Sequence, residues 1–227
     1  TDTNHPMKAI REKVELPEGH SFRVLRWSKT LRDVECILGP GRTQPVQGEG
    51  NHWHFHKEME LTLFTGGEGT RFVGDAIGTF AAGDLVLLGE RLPHHWHTSG
   101  ASGGLSIQWH FPESHPVWAF PENLELRDLF KRAERGLHLR GRTATAIAAL
   151  MQDVARSKGA GQLAALLRLL AEVADAPESD LALLSSRSFT LSAESHYQKA
   201  ISKSVQHLVA NFRDEIRLED LLKISGL

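Results

Sequence analysis

The sequence predicts an α+β chain, with a β-barrel or sandwich first and helices after it. Three observations carry that prediction. From residue 21 to residue 111, short apolar segments are separated at close spacing by Gly, Pro or Asp, as in an all-β barrel or sandwich. From residue 122 the apolar positions move to helical spacing. A Ser-rich stretch at 176–195 then precedes a final pair of helical segments.

Residues 1–20 are polar and carry prolines at 6 and 17, which reads as an arm with one short strand. Strand character begins at SFRVLRW (21–27), where Phe22, Val24 and Leu25 form a short apolar run. The Gly- and Pro-rich GPGRTQPVQGEG (39–50) reads as a loop leading to a histidine-rich strand. TRFVGD (70–75), IGTFAAGD (77–84), LVLLG (85–89), HHWHTS (94–99) and LSIQWHF (105–111) supply the remaining strands. A small barrel of this kind encloses one small ligand or a packed core.

In 122–136, Leu124, Leu126, Leu129 and Phe130 fall at helical spacing, with charges opposite. Residues 142–157 carry Ile147, Leu150, Met151 and Val154 on a second helix, and GAG (159–161) reads as a break. Residues 162–176 form a third helix with Leu163, Leu166, Leu167, Leu170 and Val173 in a broad stripe. Such a stripe packs on its own domain or pairs two subunits. Residues 177–195 read as a linker. Beyond it, 196–216 place Ile201, Val205, Leu208, Val209 and Phe212 on one helical face, and EDLLKISGL forms a shorter helix after Arg217 and Leu218.

Composition narrows the class. The chain has 227 residues, 41% hydrophobic and 24% charged, with net charge −2. Nothing in that total announces a nucleic-acid or membrane surface. Cys36 is the single cysteine, so no intramolecular disulfide forms, in keeping with a reducing cytoplasm. The N-terminus has no apolar signal-peptide core, and no run approaches the roughly 18 apolar residues of a membrane span.

The chemistry concentrates at GEGNHWHFHKEMELTLFTGG (48–67). His52, His54, His56 and Glu60 share one parity, and on a strand i, i+2, i+4 line one face. His54, His56 and Glu60 together offer two imidazoles and a carboxylate, a facial set for a divalent metal. LPHHWH (His94, His95, His97) supplies a candidate fourth ligand. Metal-free, the same residues would be pocket groups bonded to one another.

These stretches resemble a known family. Gly48, His54-Phe55-His56, Glu60 and Gly67 match the first cupin motif without a gap, and AAGDLVLLGERLPH matches the second, with Gly83 at its turn and Pro93 before His94. More narrowly, ELTLFTGGEGTRFVGD followed by GDLVLLGERLPHHWH is similar to the cupin sensor domain of AraC-family transcription regulators, over roughly residues 20–112. LEDLLKISGL is similar to the opening of the first helix-turn-helix of their DNA-binding domain, with Leu218, Leu221, Leu222 and Ile224 as core and Gly226 at the turn.

The resemblance implies a cupin (jelly-roll-like) barrel over 21–116, helices over 117–176 that commonly pair two subunits, and an incomplete helix-turn-helix domain over 196–227. The recognition helix is expected just beyond Leu227. It also implies that the arm can cover the effector pocket, and it selects His54, His56, Glu60 and His94 as ligands for Zn, Ni, Fe or Mn. His95 and His97, of opposite parity, are expected to face outward or to sit at the rim, and His52 to sit behind the ligands or at the surface. Thr62 and Phe64 continue the Glu60 face. If Leu105, Ile107, Trp109 and Phe111 pack on the helices, Gln108 and His110 point into the barrel toward an effector. Trp53 and Trp96 read as core aromatics.

The function expected on these grounds is a cytoplasmic, homodimeric, ligand-responsive transcription regulator with no enzymatic activity. Its partners would be a small-molecule effector and, through the C-terminal domain, DNA. The alternative is a metal-dependent cupin enzyme, a dioxygenase or isomerase, and a storage cupin is a weaker third. No acid–base or nucleophile constellation is visible beyond the four ligands.

Overall fold

A computed structural model describes residues 10–48, 50, 52–189, 203–204, 207–208 and 210–225. Eleven strands occupy the first half: β1 (Ile10–Arg11), β2 (Phe22–Trp27), β3 (Asp33–Gly39), β4 (Arg42–Gln47), β5 (His54–Phe55), β6 (Met59–Gly66), β7 (Gly69–Val73), β8 (Ala76–Phe80), β9 (Leu85–Leu88), β10 (His94–Thr98) and β11 (Gly103–Trp109). Then come α1 (Leu126–Ala133), β12 (Leu137–Leu139), α2 (Gly141–Arg156), α3 (Gly159–Ala174), β13 (Leu181–Leu183) and α4 (Leu218–Ser225).

The strands form two sheets. The smaller runs β1-β5-β10-β7-β8, and the larger runs β13-β12-β9-β6-β11-β2-β3-β4. Side-chain parity decides what each face does. On the larger sheet Val24, Leu61, Leu63, Leu85, Leu87, Leu105, Ile107 and Trp109 pack beneath the helices, together with Leu129, Ile147, Met151, Leu166 and Leu170. The opposite parity, Leu25, Trp27, Phe64, Val86 and Leu88, fills the space between the sheets with Phe80 and Trp96. Phe64 bridges that space, its ring 5.2 Å from Trp27, 4.3 Å from Phe80 and 5.9 Å from Trp96.

Two glycines permit close packing. A side chain at Gly104 would meet the Trp27 ring at 2.3 Å. Gly83 turns with φ +93° and donates to the Phe64 carbonyl, a conformation glycine adopts without a Cβ penalty.

Several expectations need correction. Residues 39–50 are not all loop, since Arg42–Gln47 is a strand. Pro45 is tolerated because β4 lies at the edge of its sheet, where no neighbour needs its missing N–H. The histidine stretch is not one strand; residues 56–58 bend between β5 and β6. The first helix starts at Leu126, after 3-10 turns begun by Pro116 and Pro121. GAG does not break the helices. The turn is at Ser157–Lys158, both extended, and Gly159–Gly161 form the first turn of α3, where helical N–H groups lack intrahelical partners anyway.

The 117–176 stretch is not purely helical, and 177–195 does not open as a free linker. Leu137–Leu139 pairs with β9, and Leu181–Leu183 pairs with β12. Asp180 also accepts from the N–H and hydroxyl of Thr143, capping α2 from outside. The chain is held again at Asp75, whose carboxylate accepts from Ser185 and from the N–H and hydroxyl of Ser186. Residues 1–9 of the expected arm, 190–195 of the expected linker, and Ile201, Val205, Val209 and Gly226 lie outside the described residues.

Candidate metal and ligand site

His54, at the start of β5, lies opposite His94, at the start of β10. His56 follows from the bend and Glu60 from β6. One ligand atom from each of His54, His56 and His94 falls within 4.8 Å of the others, and all three side chains are buried. Glu60 Oε2 lies 3.0 Å from His56 Nε2 and 3.9 Å from His94 Nε2.

The main chain fixes how the imidazoles face. The Nδ1 atoms of His54, His56 and His94 lie 2.8, 2.9 and 2.8 Å from the carbonyls of His52, Glu58 and Leu92. A carbonyl only accepts, so each Nδ1 carries the proton. His54 and His94, as neutral rings, then turn an Nε2 lone pair inward, the arrangement that orients histidine ligands. His56 Nε2 instead donates to Glu60 Oε2 at 3.0 Å and would offer its lone pair once a cation replaced that proton. His94 Nε2 is buried without a hydrogen-bond partner among the described residues. A divalent cation fits this donor set.

Protonation is poised around that cluster. Burial opposes charge on His56, but the Glu60 hydrogen bond and charge outweigh it and raise the imidazole pKa. Burial would likewise raise Glu60, but its hydrogen bond with His56 and the charge of His94 hold it well below the usual carboxylate range. Burial pushes His54 down, partly offset by Glu12, and pushes His94 well down, with His54 adding to it.

The network extends beyond the four residues. Gln108 donates to Glu60 Oε2 at 2.5 Å and accepts from Arg23 Nε at 2.6 Å. Thr62 donates to Glu60 Oε1 at 2.5 Å. Arg23 Nη2 donates to Glu12 Oε1 at 2.7 Å, and Glu12 Oε2 lies 3.5 Å from His54 Nε2. β1 is tied to β5 in parallel at Ile10–His54 and Arg11–Phe55, and Glu12 N donates to the Phe55 carbonyl. The chain preceding the barrel therefore delivers a carboxylate to the histidines.

Beside this network a cavity of about 50 Å³ is lined by Glu12, Trp27, Phe64, Trp96, Ser106 and Gln108 among others. Trp96 Nε1 and Ser106 Oγ are buried without hydrogen-bond partners among the described residues.

Of the expected effector residues, Thr62, Phe64 and Gln108 line this cavity. His110 does not. It lies beyond the end of β11, partly exposed, with Nδ1 3.0 Å from Glu90 Oε1. Alternation holds only while the strand lasts, and the strand stops at Trp109. Trp53 and Trp96 are buried, and the His52 carbonyl orients His54.

His95 and His97 lie on the outer face of β10. His95 is not at a rim; it is buried with its ring 5.5 Å from Phe72. Phe212 packs 5.4 Å from Phe72 and 6.2 Å from His97. Arg23 and Glu12 escaped the sequence reading. Arg23 shares parity with Leu25 and Trp27, a signal that was present, whereas nothing near Glu12 marks it.

No family model matches the sequence, and no curated protein matches it. Among solved structures the chain is similar to the AraC-like transcriptional activator CuxR, with 12% identity, 94% of this chain and 75% of that chain covered, and a TM-score of 0.38. It is similar to an apo ToxT variant from Vibrio cholerae, with 10% identity, coverage of 90% and 70%, and a TM-score of 0.42. A Cupin 2 conserved barrel domain protein from Salinispora arenicola matches with 21% identity, coverage of 44% and 89%, and a TM-score of 0.23.

Proposed function

We propose that this chain is the sensing part of a ligand-responsive transcription regulator of the AraC type. The observation that carries the reading is the two-sided placement of β10. Its inward side holds His94 in the ligand cluster, and its outward side holds His97 against Phe212 of the C-terminal segment. A change in how His94 is held is felt one strand thickness away, where the segment leading to the helix-turn-helix-like LEDLLKISGL sits. Ligand would favour one arrangement of that segment through differential affinity for two states.

His54, His56, His94 and Glu60 would hold the metal, with Gln108 and Thr62 fixing the carboxylate. A bound divalent ion supplies a Lewis-acidic point of attachment for an oxygen- or nitrogen-bearing ligand. The barrel residues exclude water and orient that ligand against Phe64, Trp96 and Ser106. Dimer pairing through the helices and DNA contact through the C-terminal unit belong to the same proposal.

The donor set also suits a cupin dioxygenase or isomerase, so two assays are paired. Metal content of the purified chain is measured before and after chelation, with thermal unfolding alongside. The full-length protein is titrated with DNA from upstream of its own coding region. The regulator reading expects a stoichiometric metal whose removal lowers the melting temperature, and a His56→Ala variant that keeps DNA affinity but loses its metal dependence. Turnover of a small substrate, abolished in His54→Ala, would replace the regulator by the enzyme.

A further inference from the structure

We propose that the ligand of this pocket is a small carboxylate, bound at Arg23 in direct competition with the chain's own Glu12. The inference rests on the reading of the barrel as a small-molecule pocket and adds the chemical class of its ligand.

Three observations converge. First, Arg23 and Glu12 form a buried ion pair, their side chains 6% and 9% exposed. The guanidinium is also held by Gln108 Oε1 and, at 3.5 Å, by the Glu15 carbonyl. A buried guanidinium deprived of its counter-ion is strongly unfavourable. Whatever moves Glu12 aside must therefore bring negative charge to the same atoms. A neutral or cationic ligand cannot.

Second, the room is taken. The cavity of about 50 Å³ compares with about 30 Å³ of liquid volume per water. An organic ligand therefore has to displace a lining side chain, and among those of the cavity Glu12 is the one that precedes the barrel's long strands. Glu12 reaches the cavity from a segment joined to the barrel by a two-residue strand, β1, so its withdrawal disturbs little of the core.

Third, the unpartnered groups have the right sense. Trp96 Nε1 is donor only, and Ser106 Oγ can donate. Both line the cavity and both lack partners among the described residues. A carboxylate is acceptor only. It would take hydrogen bonds from Arg23 and from these two groups, with one oxygen directed toward the histidines, as Glu12 Oε2 is directed toward His54 now.

The test compares wild type, Glu12→Ala, Glu12→Gln and Arg23→Met, each checked for folding by circular dichroism and for Zn²⁺ binding. Thermal unfolding is followed with sodium acetate, with acetamide, and with sodium chloride at equal ionic strength. Acetate is expected to raise the melting temperature of Glu12→Ala by about 3 °C or more, and to act less on wild type, where Glu12 competes. Acetamide and chloride should do nothing beyond their effect on wild type, and the acetate response should vanish in the Glu12→Ala, Arg23→Met double variant. Glu12→Gln, which keeps the shape and removes the charge, should lie between Glu12→Ala and wild type. A folded Glu12→Ala chain that ignores acetate, or answers acetamide equally, overturns the carboxylate. If that chain still binds Zn²⁺ the pocket reading survives; if it binds neither, both fall.

Discussion

Each imidazole in the cluster, and His95 behind it, sits under a different local constraint, and acid should expose the difference. His95 is held down to about 4 from the usual 6.5, first by burial and then by the charges of His54 and His97. Between those values the unfolded chain takes the proton and the folded chain does not, so stability rises with pH across the window. Acidifying from pH 7 to pH 4 should remove up to about 3 kcal/mol through His95, with His54 and His94 adding in the same direction. His56, raised by Glu60, works the other way: its contribution is present at low pH and fades as pH rises through its folded value. Urea unfolding at pH 7 and pH 4.5 should show a smaller acid loss for His95→Phe than for wild type. A parallel loss in both would remove His95 from the account. Gln108 can be tested at the same scale. Gln108→Leu deletes the donor to Glu60 and the acceptor for Arg23 while leaving every candidate metal ligand in place, and should weaken Zn²⁺ binding by about 10–100-fold, read by competition with a chromogenic chelator.

At the scale of elements, the helices matter because they cover the apolar part of the larger sheet's outer face, around Val24, Leu61, Leu87, Ile107 and Trp109. Leu170 is fully buried in that layer, and Leu170→Ala should cost about 2–5 kcal/mol in urea unfolding. Residual Zn²⁺ binding by the folded fraction would show that the helices support the barrel without shaping its interior. Most of these elements were legible in the sequence, since their signals are local. The alternation in LSIQWHF places Leu105, Ile107 and Trp109 under the helices and Ser106 and Gln108 inside. The elements that escaped are held by distant partners. Leu137–Leu139 and Leu181–Leu183 are three residues each, too short to show a period, and they are strands because β9 offers an edge to the first and the first offers one to the second. Arg42–Gln47 contains a proline that reads as a loop until its edge position is known. His110 fails for a related reason, because parity says nothing once a strand has ended.

Across the whole molecule, the pocket and the C-terminal segment share β10. Hydrogen exchange with and without Zn²⁺ should show protection in 94–98 and also around 207–212. Phe212→Ala should keep the first and lose the second, whereas equal protection in both would mean that the Phe72–His97–Phe212 packing carries no signal. The pocket as a whole was only partly readable. Four candidate ligands stood in two recognisable motifs, but Glu12 and Arg23 meet through folding alone, across a register that pairs Ile10 with His54.

The placement of Leu181–Leu183 also bears on how the protein can be divided. A fragment cut after residue 176, where the helical pattern ends, would strip β12 of its neighbour and α2 of the Asp180 cap. The exposed ladder of Leu137–Leu139 would then be an open edge, able to recruit strands from other copies. A fragment carried through residue 189 keeps that edge covered and retains the clasp between Asp75 and Ser185–Ser186. Monomer solubility of the two fragments should therefore diverge sharply, with the shorter one aggregating, although the thirteen residues between the cuts contribute nothing to the pocket cluster.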